Sequence, residues 1–212
     1  MEEKISQKLD DLSRIDIFAL ILVLAHIGYY IYAGMGQWTF WGGITAEGLD
    51  QAGALTTDLV DKGEFWRLWA SIFLHVGILH LILNMMNLYF LVLMADPMVG
   101  KIRILLVYLL SGLTGSILSW TWGTERTVGA SGAIFGLMGL VLVIAYRERE
   151  RLQGRIGVLI RGQLLGWTIF SLALGWAVPI IDNASHVGGL LMGLSLGLFF
   201  QLVDGQSSET KA

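Results

Sequence analysis

Six stretches of this chain contain no Asp, Glu, Lys or Arg: Ile17–Ala46, Leu68–Ala95, Ile104–Thr124, Thr127–Tyr146, Gly162–Ile181 and Asn183–Val203. Each is 20 residues or longer, and about 20 apolar residues carry a helix across the hydrocarbon core of a bilayer. A soluble helix of that length would show water a polar face. Only 15% of the 212 residues are charged, against about 25% in a soluble domain. The expected fold is an all-α polytopic membrane protein, a bundle of six transmembrane helices with a long interfacial first loop. Residues 1–16 read as a polar cytoplasmic lead, 17–203 as the one folded domain and 204–212 as a disordered cytoplasmic tail.

Composition removes several function classes. There is no cysteine, which excludes disulfides, thiolate chemistry and Cys-ligated metals. The net charge is −3, and no basic cluster with interleaved aromatics points to nucleic acid. Met1 to Asp16 has no cleavage-site pattern, so the first span is expected to stay in place. With the first connection outside, the inner segments hold Lys4, Lys8, Arg14, Lys101, Arg103, Arg147, Arg149, Arg151, Arg155, Arg161 and Lys211, and the outer ones Lys62, Arg67 and Arg126. That bias places both termini in the cytoplasm.

The expected spans are Ile17–Tyr32, Ile78–Met94, Ile104–Trp120, a fourth from the Gly129 turn to Tyr146, a fifth within Val158–Val178 and a sixth from Asn183 to Val203. Asp96-Pro97 reads as the end of the second. The connection Ala33–Val76 carries Trp38, Phe40, Trp41, Phe65, Trp66 and Trp69, aromatics suited to the headgroup level. Arg67 is expected to pair with Glu64 and fix that loop. His26 reads as a structural histidine and His75 as interfacial. His80 and Asn84 are four apart and share a helix face, with Asn87 on the same stripe. Their plainer role is hydrogen-bond glue between helices.

The chemistry is suggested by Gly129-Ala130-Ser131-Gly132-Ala133-Ile134-Phe135-Gly136. A serine in the first turn of a helix sits among unpaired N–H groups at the positive end of the helix dipole. That is a place for a nucleophilic hydroxyl beside a developing oxyanion. The plainer reading is an N-cap serine with a small-residue packing face. The sixth span opens with Asp182-Asn183-Ala184-Ser185-His186, and Gly189, Gly193 and Gly197 follow at four-residue steps. Packing that glycine face on Gly132 and Gly136 would set His186 beside Ser131. Asp182 reads as a surface residue, so the pair is a Ser–His dyad, not a triad. His80, Asn84 and the Ser131 amide are candidate oxyanion donors.

Together these residues resemble the rhomboid family of intramembrane serine proteases. The resemblance rests on Trp66-Arg67, on His75, His80 and Asn84, on Gly129-Ala130-Ser131-Gly132, and on His186-Val187-Gly188-Gly189 with Gly193. It runs from Ile17 to about Val203. It implies Ser131 as nucleophile, His186 as general base, and His80, Asn84 and the Ser131 amide as the oxyanion hole. Phe135 would stack on the base where the family often has tyrosine, and Ser185 stands where alanine is common. It further implies membrane-protein substrates cut in or near a transmembrane helix, entering sideways past the fifth helix and the Trp176–Ile181 loop. No metal and no cofactor are expected, and the location is a plasma membrane of prokaryotic type. Three rivals differ in one feature each. A non-catalytic helix-binding relative needs neither Ser131 nor His186. A transporter would show repeats. A metalloprotease would show His-Glu-x-x-His, which this sequence lacks.

Overall fold

The computed structural model describes residues 16–39, 41–147, 155–178 and 181–209. The secondary structure is helical, with three isolated bridges and no strand among the described residues. The helices are α1 (Ile17–Gly34), α2 (Ala46–Gln51), α3 (Thr57–Asp61), α4 (Arg67–Phe73), α5 (Ile78–Val99), α6 (Lys101–Trp122), α7 (Ser131–Arg147), α8 (Arg155–Ala177) and α9 (Asn183–Glu209). Four segments are long and apolar enough to cross a membrane: Ile17–Gly34, Ile78–Val99, Lys101–Trp122 and Asn183–Val203. α7 is apolar but shorter, with 17 residues.

α7 is the central element. Every residue from Gly132 to Val141 is buried, as expected of a helix that is apolar on all sides. α5, α6 and α9 surround it. α9 lies against both α6 and α7 because glycines strip one of its faces to backbone. A Cβ at Gly188 would lie 3.0 Å from Gly115 Cα, and one at Gly193 would lie 1.9 Å from the Gly136 carbonyl oxygen. The outward faces carry Ile21, Leu24 and Ile31 on α1, Leu79, Met86 and Phe90 on α5, and Leu198, Phe199 and Leu202 on α9, all exposed. A water-soluble monomer rarely shows so much contiguous apolar surface.

Several boundaries differ from the sequence expectation: α1 runs past Tyr32 to Gly34, and α8 starts at Arg155, three residues before Val158. α5 does not stop at Asp96-Pro97 but continues through Pro97 to Val99. A proline in a last turn removes one hydrogen bond from a helix that is ending anyway. The turn is made instead by Gly100 at φ +78°, whose N–H reaches the Asp96 carbonyl, a conformation that suits glycine. α6 therefore starts at Lys101. α9 runs past Val203 to Glu209, so the backbone expected to be disordered from Asp204 is helical over most of its length; no proline interrupts it. Residues 1–15 of the polar lead, Phe40 in the first connection, most of the Arg147–Arg155 charge run, Pro179 and Ile180 in the outer loop, and residues 210–212 lie outside the described residues.

The long first connection is built, not loose. It contains α2, α3 and α4 and is pinned to α1 by two phenols. Tyr29 donates to the Ala52 carbonyl at 2.6 Å, and Tyr30 donates to the Gly42 carbonyl. A bidentate pair from Arg126 to Asp50, both distances 2.9 Å, ties α2 to the loop before α7.

Candidate active site

Two helix starts and one glycine turn bring the site together. Before α7, Thr127 bridges to Leu55, and Gly129 takes φ +115° while its N–H donates to the Ser71 carbonyl at 2.9 Å. Ala130 O accepts from the Ile134 N–H, so Ser131 is the first residue of α7 and its amide belongs to the unpaired first turn. Ser131 is half-buried.

The start of α9 is fixed by Asp182, which is half-buried and not the surface residue expected. Its Oδ1 accepts from the Ser185 N–H at 3.0 Å. Its Oδ2 accepts from Thr127 Oγ1 at 2.6 Å and from Ser119 Oγ. One carboxylate thus caps α9 and joins it to α6 and to the turn before Ser131. The first turn of α9 closes with His186, whose N–H donates to the Asp182 carbonyl and whose side chain is buried.

α7 and α9 then meet with nothing between their backbones. A Cβ at Gly189 would lie 1.8 Å from the Gly132 carbonyl oxygen, and one at Gly132 would lie 2.4 Å from Ser185 Oγ. This is the approach expected from the two glycine faces. Its consequence is that the His186 ring lies on Phe135, with centroids 4.2 Å apart and planes 13° apart. Phe135 is one turn along α7 from Ser131, so the imidazole lies against the same stretch of helix that opens with the serine. The Ser131 hydroxyl forms no hydrogen bond among the described residues, and His186 Nδ1 is buried without a partner. Catalytic hydrogen bonds are often long in a free enzyme and tighten only around substrate.

α5 supplies the opposite wall. A Cβ at Gly129 would lie 2.7 Å from His80 Cε1, 3.0 Å from His80 Nε2 and 3.6 Å from Asn84 Nδ2. The Nε2 edge of His80 and the Asn84 amide therefore face the turn that presents Ser131. Asn84 Nδ2 is buried with no hydrogen-bond partner among the described residues, a costly state for a donor. Asn87 turns away and bonds the Leu83 carbonyl of its own helix at 2.8 Å.

The structure thus gathers Gly129, Ser131, Gly132, Phe135, His80, Asn84, His186, Gly189 and Gly193. It does not bring Trp66 and Arg67 to them. Arg67 is buried in the first connection, donating to the Asp50 carbonyl at 2.7 Å, the Ala54 carbonyl at 3.0 Å and Glu64 at 2.8 Å. Its guanidinium lies over the Trp66 ring at 4.7 Å. These contacts fold the loop around α4, whose Ser71 carbonyl anchors Gly129.

The rhomboid domain model matches residues 62–202, the segment that contains every one of the gathered residues. The chain belongs to the rhomboid family. It is 40% identical over 152 residues to Rhomboid protease GluP of Bacillus subtilis, 72% of this chain and 29% of that protein. It is 38% identical over 167 residues to the mitochondrial RHOMBOID-like protein 6 of Arabidopsis thaliana, 78% of this chain and 53% of the relative. The putative rhomboid protease YdcA of Bacillus subtilis is 35% identical over 161 residues, 73% of its length. The chain spans only part of the first two relatives. As a rhomboid with four long apolar helices, it is an integral, multi-pass membrane protein.

Sequence reasoning passed over two features of this rhomboid's site. The role of Asp182 was legible as a capping signal, a carboxylate three residues before the Ser185 amide. The burial of His75 was not. It was expected at the interface and is 0% exposed, packed between His26 and His80. Hydropathy assigns a depth to a residue but does not say what folds over it.

Proposed function

We propose that this rhomboid is a serine endopeptidase that cuts transmembrane segments of other membrane proteins, using a Ser131–His186 dyad within a six-span core. The observation that carries this reading is the stack of His186 on Phe135, one helical turn from Ser131, across a backbone contact that only glycines allow. A helix-binding protein has no need of a buried histidine held there, because an unpaired imidazole in an apolar bundle is costly.

The reaction is acyl transfer in two steps. His186 accepts the Ser131 proton as Oγ attacks a substrate carbonyl. The tetrahedral oxyanion is met by His80 Nε2, Asn84 Nδ2 and the Ser131 amide. His186 returns the proton to the leaving amine, and an acyl-enzyme remains. Water, deprotonated by His186, then releases the acid. Phe135 keeps the stacking partner of the base but has no hydroxyl to bond. Asp182 orients the base through the helix it caps, not by touching the ring. The cytoplasmic placement of both termini and a prokaryotic-type plasma membrane complete the proposal.

A fluorophosphonate probe tests the nucleophile without a substrate. Ser131 Oγ displaces fluoride at phosphorus, and the proton passes to His186. The expected result is covalent labelling of the wild-type chain on Ser131, none in Ser131→Ala, and strong loss in His186→Ala. Labelling elsewhere, or equal labelling in all three, overturns the dyad.

A further inference from the structure

The chain has four histidines. His186 is the proposed base, and the other three form one contiguous cluster that runs from the oxyanion wall, at His80, away from Ser131 to His26. Tyr108, in α6, and His26, in α1, are both 0% exposed, and the Tyr108 hydroxyl bonds His26 Nε2 at 2.7 Å. The His26 ring stacks on Phe73 with centroids 4.9 Å apart and meets the His75 ring edge-on at 5.4 Å. His75 Nδ1 is 3.3 Å from the Phe73 carbonyl, which accepts only, so this nitrogen carries a proton. The His75 ring in turn meets His80 edge-on at 5.1 Å.

His80 is the end of that chain. An imidazole that donates from one nitrogen is ordinarily oriented by a hydrogen bond at the other. His80 Nδ1 is buried and has no such partner among the described residues. What packs on this ring is His75. Burying three imidazoles in place of three apolar side chains is unfavourable, and packing alone would not call for it.

We propose that Tyr108, His26 and His75 are positioning residues for His80. The Tyr108 hydroxyl fixes the His26 ring, His26 with the Phe73 carbonyl fixes His75, and the His75 edge holds His80 with Nε2 toward the Gly129–Ser131 turn. The inference rests on the protease reading for its catalytic consequence, but the ring contacts stand without it.

The test uses the full chain in detergent with 15N-labelled histidine, the four side-chain signals being assigned by single substitutions. Tyr108→Phe deletes one oxygen at the remote end. The expected result is a shifted His80 imidazole signal and a kcat lower by about 10- to 100-fold, the range for a slightly displaced catalytic group, with KM unchanged. Tyr30→Phe is the control. It also loses a phenol-to-carbonyl bond, to Gly42, and should keep the wild-type His80 signal and kcat. His26→Gln, whose amide can still meet the Tyr108 hydroxyl, should lie between wild type and His26→Phe in both readouts. A His80 signal unmoved by Tyr108→Phe and by His26→Phe overturns the inference. So does a kcat loss that Tyr30→Phe matches at equal thermal stability. A wild-type chain that cleaves nothing would defeat the protease reading while the His80 signal still decides this one.

Discussion

His186→Ala is expected to abolish peptide cleavage while the protein still folds. Without the imidazole no group is placed to take the Ser131 proton, since among the described residues no carboxylate bonds the serine: Asp182 is committed to the Ser185 amide, Thr127 and Ser119. Loss of a catalytic base in a serine hydrolase lowers kcat by roughly 10⁴-fold or more. The structural cost is smaller. The ring stacks on one aromatic partner, Phe135, and such a pair adds about 0.5–1.5 kcal/mol beyond the area it buries. The start of α9 is held by Asp182, which the substitution leaves alone. Steady-state cleavage alongside thermal unfolding separates the two effects. Measurable wild-type turnover in His186→Ala would end the dyad proposal, and an unfolded variant would show that the ring holds α9 in place.

Gly189→Ala is expected to damage the fold and the site together. The new Cβ would lie 1.8 Å from the Gly132 carbonyl oxygen and 2.7 Å from its carbon. Both obstacles are backbone, so no side chain can rotate out of the way, and α7 and α9 must part. Overpacking of this kind costs about 1–3 kcal/mol, occasionally more. Separation of the helices carries His186, one turn away, off Phe135 and away from Ser131. A displacement on the order of 1 Å in a catalytic group costs about 10²-fold in rate. Gly28→Ala in α1 supplies the contrast, because a Cβ there meets nothing within 4 Å. It should keep activity and gain slightly in stability, since alanine is the better helix former. A Gly189→Ala protein with wild-type activity and midpoint would mean that the α7–α9 contact is looser than described.

Much of this was legible because membrane helices simplify the code. Runs without charge mark helices, and four-residue glycine spacing marks where two of them touch. The same glycine faces that led from Gly132 and Gly136 to Gly189 and Gly193 proved to be in backbone contact. What escaped was local geometry in the polar margins. Pro97 reads as a helix stop, yet a last turn tolerates it and Gly100 makes the bend. Asp182 looked like a surface charge because depth was judged from its neighbours in sequence, whereas its partners Ser119 and Thr127 come from elsewhere in the chain. The His26–His75–His80 cluster was hidden for the same reason. It draws on α1, the link before α5, and α5 itself, and no periodicity connects them.

The most direct measurement is cleavage of a tagged transmembrane substrate by the purified protein reconstituted in lipid, wild type beside Ser131→Ala. Cleavage by the wild type and none by the variant is the expected result. Equal cleavage by both would mean that the peptide bond is not broken through Ser131.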